Sequence, residues 1–282
     1  MNFPKRPLEL YTYSSDKSIR TKKWQEILSS QHCRYLDAKC DKIRKSQPNV
    51  TIGTCVMGHQ GQPMIICPHR FLQRRQIFLD TLHLLNDHVP GNQLHVVPEI
   101  TIPGGTVDYF VVSVHRGEIK DYVGLEIQAL DTAGSVWQAR QKLINDVLTI
   151  PVDIGRGKIV SINWKMTAKT ILVQLHHKVE TLELLDKKMV LVIQDVFHNY
   201  ITKNFSTQRL QAAHSSDSTH FHIYTLEQRN DDRFLLELTA RRSTTAKGVE
   251  EMLGMRHEAK ISEEELKDKI RAKISEQTLL RI

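Results

Sequence analysis

A chain of 282 residues, 40% hydrophobic and 25% charged, has room for one large domain or two small ones with an ample core, in the composition of an ordinary globular protein. No apolar run approaches the roughly 20 residues of a membrane-spanning helix, and the opening MNFPKRPLELYTYSSDKS lacks the continuous apolar core of a signal peptide, so a cytoplasmic location without membrane partners is expected. Lys+Arg of 39 against Asp+Glu of 32 gives a net charge of +7, which favours a polyanionic partner without naming one.

Residues 1–23 are polar and basic, with Lys17, Arg20, Lys22 and Lys23 clustered. They read most simply as a solvated arm, with a phosphate-contacting arm as the alternative. All four cysteines follow within the first quarter of the chain, spaced Cys33-x6-Cys40-x14-Cys55-x11-Cys67. Without a secretion signal, this grouping suggests thiolate ligands rather than disulfides. Four thiolates would make a closed structural site for zinc or iron. The spacing is not that of compact CxxC pairs, so four separate buried thiols stay open as the other reading. Gly53, Gly58 and Gly61 suit a loop around an ion, and His59 is a substitute ligand.

Cys67-Pro68-His69-Arg70-Phe71 leads into an expected helix with Phe71, Phe78, Leu82 and Leu85 on one stripe, stopped by Pro90-Gly91. Arg70, Arg74 and Arg75 read as a charged solvent face or as phosphate contacts, and Asp80 is a minor site candidate. The next stretch, Pro98–Thr132, organises the rest. Apolar residues dominate Val107–Val114 except at Asp108, after a Pro103-Gly104-Gly105 turn, which is a hairpin signature. In Tyr122–Leu130, Val123, Leu125, Ile127 and Ala129 share one face while Glu126 and Gln128 share the other. Polar groups on such strands cost several kcal/mol unless they meet solvent, each other or a cation. A divalent metal site is the economical explanation.

Gly134–Leu148 is expected to be helical, Pro151–Lys158 a Gly-containing loop, and Ile162–Leu185 a long helical segment with Ile171, Leu172, Leu175 and Val179 as its apolar positions. His176 and His177 are read as exposed, no third ligand being evident. Lys188–Tyr200 contains a core strand ending at Asp195. Beyond residue 200, Thr219–Glu227 and Phe234–Leu238 read as a hairpin around the turn Arg229–Asp232, with His220 and His222 on its wet face. Arg241, Arg242 and Lys247 form a basic patch. Ser262-Glu-Glu-Glu265 resembles a capping box, opening a helix with Leu266, Ile270 and Ile274 aligned for docking on the body or on a second subunit. The order of elements argues for a mixed α/β layer arrangement.

Asp108-x17-Glu126-x-Gln128 fits the spacing of a PD-(D/E)xK nuclease core, a mixed central sheet flanked by helices. In that chemistry the two carboxylates and the Ile127 carbonyl hold magnesium against a phosphodiester, and the i+2 residue orients the attacking water. Together, CPHRF after a four-cysteine region, PEITIPGGTVDYFVV, YVGLEIQALDT and VLVIQD resemble the NotI-type restriction endonucleases over residues 25–200. The resemblance implies a magnesium-dependent type II enzyme, a homodimer cutting both strands of double-stranded DNA within a GC-rich palindrome. It makes Asp108 and Glu126 metal ligands, puts Gln128 where Lys is usual, and adds Glu99 as a supporting acid. It also makes Cys33, Cys40, Cys55 and Cys67 a structural site that in this family holds iron. The family pattern accepts Gln at the third position, although an amide carries no charge for the developing negative charge. The expected units are residues 1–70, arm and knuckle; 71–200, nuclease core; and 201–282, an α+β extension for DNA recognition or dimerisation. The competing readings are a repair or recombination nuclease on the same core, and a non-catalytic DNA-binding protein with a metal knuckle.

Overall fold

The computed structural model describes residues 3–15, 21–44, 47–133, 136–148, 160–229, 234–254 and 262–273. Lys17, Arg20, the 151–158 loop, Ile274 and most of the turn after Arg229 lie outside these residues. A small sheet near the N-terminus is formed by β1 (Pro7–Leu10), β2 (Tyr13–Ser14), β3 (Thr54–His59) and β4 (Gln62–Ile65), in the order β2-β1-β3-β4. Helix α1 (Thr21–Ser30) buries Trp24 and Ile27 beside it.

The main sheet has seven strands: β5 (Gln93–Ile102), β6 (Gly105–His115), β7 (Glu118–Gln128), β8 (Lys188–Gln194), β9 (Gln211–Ala212), β10 (Thr219–Gln228) and β11 (Phe234–Thr244). Their order is β9-β11-β10-β8-β7-β6-β5. Strands β5, β6 and β7 form an antiparallel meander, β7, β8 and β10 run parallel, and β11 returns antiparallel. Between β7 and β8 come α2 (Val136–Leu148) and α3 (Trp164–Leu184), the crossover that a parallel pair requires. The helices α4 (Asp195–Asn204), α5 (Ala246–Leu253) and α6 (Glu263–Arg271) complete the larger elements.

Strand β8, KMVLVIQ, is apolar almost throughout because both of its faces are covered. On one face Leu191, Ile193, Phe110, Val112 and Phe221 pack against Ile171, Leu172, Leu175, Val179 and Leu182 of α3, with Phe197 of α4 and Val249 of α5. On the other, Val111, Val123, Leu125, Ile127, Val190 and Val192 meet the cysteine region through Cys55, Val56, Ile65 and Cys67, together with Phe71, Ile77 and Phe78. Gln194, buried at the end of β8, ties the sheets: its Nε2 donates to the Pro63 carbonyl (2.6 Å), and its Oε1 accepts from the Ile65 N–H (2.8 Å). Strands β10 and β11 share this sheet and both its cores, so the architecture of residues 71–200 runs on without a break to Thr244.

Three expectations are corrected. Residues 71–85 are not one helix: 3-10 turns at Pro68–Arg75 and Leu82–Leu84 flank a single α turn, Gln76–Leu79. Left-handed backbone at Arg74 (φ 55°) and Arg75 (φ 53°) breaks the ladder while still burying Phe71, Ile77 and Phe78. Arg70 is not on a solvent face. It is fully buried, donating from Nε to Glu9 (2.7 Å) and from a terminal nitrogen to the Phe234 carbonyl (2.8 Å), which locks the first of those turns between β1 and β11.

The third correction concerns His220 and His222, which are 1% and 0% exposed. Strand β10 lies between β8 and β11 rather than in a free hairpin, and its His face is roofed by the 68–85 segment, where His83 stacks on His222 (centroids 5.8 Å apart). Among the described residues neither ring nitrogen of His222 has a hydrogen-bond partner. Burial, assisted by Arg241, holds its pKa far below the usual histidine range, and burial lowers His220 to about 4. A histidine depressed in the fold binds its proton more readily once unfolded, so its stabilising contribution is complete above about pH 6.5 and is lost as pH falls toward 4. Replacing His222 with Phe is expected to move the acid-unfolding midpoint, followed by circular dichroism, to lower pH while leaving the thermal midpoint at pH 8 nearly unchanged. An unmoved acid midpoint would place the acid sensitivity elsewhere.

Candidate active site and thiol centre

Asp108 sits near the start of β6 and Glu126 near the end of β7, on the face covered by α3. The β6–β7 ladder runs from His115 paired with Glu118, through a register shift between Val114 and Ser113, up to Tyr109 paired with Leu125, and there it ends. One residue further the strands part, and the Ile127 N–H donates instead to Oδ2 of Asp108 (2.8 Å). The divergence gives the Asp108 carboxylate a backbone partner. On the other side of Asp108, the β5–β6 register skips from Val107–Ile100 to Tyr109–Pro98, and Glu99 takes a left-handed φ of 54°. That conformation is costly for a non-glycine residue and concentrates at functional positions. Glu99 is exposed, and its charge reaches Asp108.

The electrostatics are those of anions crowded out of water. Burial raises the Asp108 pKa, with Glu99 adding to the rise against the Ile127 N–H and Lys178. Burial, then the neighbouring Asp108, pushes Glu126 up to about 7. Glu126 is 6% exposed, and its Oε2 has no hydrogen-bond partner among the described residues. An orphaned carboxylate oxygen beside a second carboxylate is what a divalent cation would satisfy, so the oxygen donors fit magnesium in kind.

Gln128 is half-buried with its amide donating to the Ala129 carbonyl, and Ile127 enters the site through its N–H. Asp80 is elsewhere: its carboxylate accepts from Tyr224 (2.8 Å) and faces Arg241 on the opposite side of the sheet. Sequence reasoning missed Lys178 of α3, whose Nζ donates to Glu126 Oε1 at 2.6 Å with both side chains buried. The signal was present, because Ile171, Leu175, Lys178 and Leu182 fall on one helical stripe and Lys178 occupies a core position. Lys42, exposed just after Cys40, also lies close enough to act on Asp108.

The hairpin turn before Asp108 rests directly on α3. A Cβ at Gly104 (φ 98°) would lie 2.5 Å from the His177 carbonyl oxygen, and one at Gly105 (φ 129°) would lie 3.2 Å from the Lys178 side chain. Thr181 adds a hydrogen bond to the Pro103 carbonyl (2.8 Å). One turn of α3 therefore fixes the height of β6 and carries Lys178 under Glu126. His176 on the same turn is buried, not exposed as expected, whereas His177 is exposed. With Glu180 they form the one group of three potential ligands among the described residues whose donor atoms lie within 4.8 Å of one another.

Cys33, Cys40, Cys55 and Cys67 are all buried with free thiols, and each lies near enough to others of the set to influence their ionisation. The sulfurs are looser than a closed tetrahedron, no three lying within 4.8 Å. The surroundings nevertheless suit thiolates: the N–H groups of Tyr35 and Leu36 point at the Cys33 sulfur and that of His69 at Cys67. Burial raises Cys33 and Cys55 and pushes Cys67 up to about 12, a penalty that a bound cation would reverse. In donor type the four fit zinc or iron. His59 is four residues beyond Cys55 in β3, on the order of 13 Å along an extended strand, and does not join them.

No described helix is long and apolar enough to cross a membrane. No curated protein and no solved structure matches the chain. The family model described as restriction endonuclease NotI matches residues 29–236, from the end of α1 through β7, β8 and β10 into β11. Since that match covers most of the 282 residues, including both carboxylates and all four thiols, the chain belongs to the NotI family of restriction endonucleases.

Proposed function

We propose that this type II restriction endonuclease hydrolyses both strands of double-stranded DNA in a magnesium-dependent reaction, with Asp108 and Glu126 as the metal ligands. The observation that carries the reading is Oε2 of buried Glu126, without a hydrogen-bond partner among the described residues, in a carboxylate close to Asp108 where the β6–β7 ladder ends. Magnesium bound there would supply Lewis-acid polarisation of the phosphoryl oxygen and acidify the attacking water. The chain's own residues do the rest. Ile127 holds the Asp108 carboxylate through its N–H, Gln128, its amide nitrogen engaged by the Ala129 carbonyl, would orient the water through its amide oxygen, and Glu99 adds negative charge from the neighbouring strand. A homodimer acting at a GC-rich palindrome, and iron or zinc held by the four thiolates, rest on the family resemblance. The family match and the net charge of +7 agree with a DNA substrate.

Digestion of phage or genomic DNA is expected to give discrete, magnesium-dependent fragments that disappear with Asp108→Ala. A smear or cutting confined to branched DNA would favour a repair nuclease, and cutting by Asp108→Ala at the wild-type rate would remove Asp108 from the site.

The pKa of Glu126 provides a second test. An acid raised from about 4.5 to about 7 by folding is most favourable to the fold while protonated, so in the metal-free protein its contribution is lost as pH rises through 7. Magnesium binds the ionised form. Its stabilisation, read as a rise in thermal midpoint, is expected to grow between pH 6 and pH 8 and to vanish in Glu126→Gln; a pH-independent rise retained by that variant would put the ion elsewhere.

For the thiol centre, elemental analysis of purified protein is expected to find iron or zinc near one per chain. Cys55→Ser is expected to lose it together with thermal stability, before any effect on chemistry. A Cys55→Ser protein equally stable, and wild-type protein free of both metals, would dismiss the assignment.

A further inference from the structure

We infer that Lys178 of α3 is a catalytic residue, supplying from the helix the positive charge that Gln128 cannot supply from the strand. The inference rests on the reading of Asp108 and Glu126 as the cleavage site and goes beyond it by naming the cationic partner. Four observations carry it.

Position comes first. Ile171, Leu175 and Leu182 are 1%, 0% and 1% exposed, and Lys178 continues their stripe at 3%. Every neighbour on that line is aliphatic, so the helix would pack as well or better with leucine there, and an ammonium is held in the core at a desolvation cost. A purely structural pair is the competing explanation. Replacing a buried ion pair by apolar residues is often neutral or stabilising, so packing alone gives little reason for both members.

Aim comes second. The ammonium is 2.6 Å from Oε1 of Glu126 and close enough to lower the pKa of Asp108, so it serves the pair of carboxylates rather than one. Space comes third. Gly105 has no Cβ, and the lysine stem lies across that gap, 3.2 Å from where a Cβ would stand. The turn leaves a channel for this side chain. Complementarity comes fourth: of the three residues in the Asp108, Glu126, Gln128 pattern, the third is neutral and turned toward the Ala129 carbonyl.

In the reaction a water oxygen bonds to phosphorus as the bond from phosphorus to a bridging oxygen breaks. The water gives up a proton to a base, and the departing oxygen takes one up. Nothing is oxidised or reduced. Negative charge gathers on the non-bridging oxygens, and the ammonium, with the N–H groups not spent on Glu126, stabilises it where an amide would do so weakly. Lys42, exposed on the rim, is suited to a phosphate contact and provides the control.

The test uses full-length protein, single-turnover cleavage of a duplex carrying the site at saturating magnesium, DNA affinity measured without divalent ions, and thermal midpoints. Lys178→Met is expected to slow cleavage by roughly 10²- to 10³-fold while DNA affinity changes less than about threefold, and Lys42→Ala to weaken affinity more than rate. Cleavage by a folded Lys178→Met within about threefold of wild type overturns the inference. In that event a dead Asp108→Ala leaves the site reading standing, and an active Asp108→Ala removes the site reading itself. Should Lys178→Met not fold, the double variant Gln128→Lys/Lys178→Met returns an ammonium from the neighbouring strand. Cleavage by it above the level of Asp108→Ala supports the role, and cleavage at that level by a folded protein overturns it.

Discussion

The structure depends on a conflict between burial and charge. A sheet covered on both faces excludes water, yet this one carries Asp108, Glu126 and Lys178 on the face packed by α3. An isolated ionised carboxylate in such a place would cost several kcal/mol. The chain relieves the cost locally: the strand ladder stops, a backbone N–H turns to Asp108, and a lysine enters from the helix. What is left over among the described residues is one carboxylate oxygen of Glu126 without a hydrogen-bond partner.

The opposite face solves a different problem. The four-thiol region is too poor in regular structure to hold itself, with short ladders such as His32–Cys33 against Ala38–Lys39. It gains rigidity by leaning on the sheet through Gln194 and through the buried Arg70–Glu9 pair, whose guanidinium also reaches the Phe234 carbonyl at the far hairpin. Knuckle, sheet and hairpin are thereby one cooperative body. The same packing brings the segment after Cys40 near enough for the charge of Lys42 to act on Asp108.

Much of this was legible from residue order. Asp108 interrupting an apolar strand, and Glu126 and Gln128 opposing Leu125 and Ile127, announced strands with one unusual face, and the strands are there. The apolar run in Lys188–Gln194 announced a central strand for the same reason, coverage on both sides. What stayed hidden depended on who covers whom. His220 and His222 alternate with Phe221 and Ile223 just as a wet hairpin face would, and only the roof formed by residues 68–85 makes them dry. Arg70 looks like a surface cation until Glu9, 61 residues earlier, is found against it. Lys178 was overlooked although its phase on α3 gave it away; a charged residue in an aliphatic stripe reads as noise until the facing strand proves to be acidic.

The seat of the Pro103–Gly105 turn on α3 bears on how such an enzyme can diversify. At Gly104 helix and hairpin meet backbone to backbone, while the Thr181 hydroxyl on the Pro103 carbonyl and the Lys178 stem beside Gly105 complete the contact. Because Asp108 lies three residues beyond Gly105 and Lys178 one residue beyond His177, the spacing of carboxylate and ammonium is set largely by that close seat of turn on helix. Substitutions across the rest of the sheet leave that seat untouched, so the spacing of Asp108 and Lys178 is insulated from changes elsewhere on the surface.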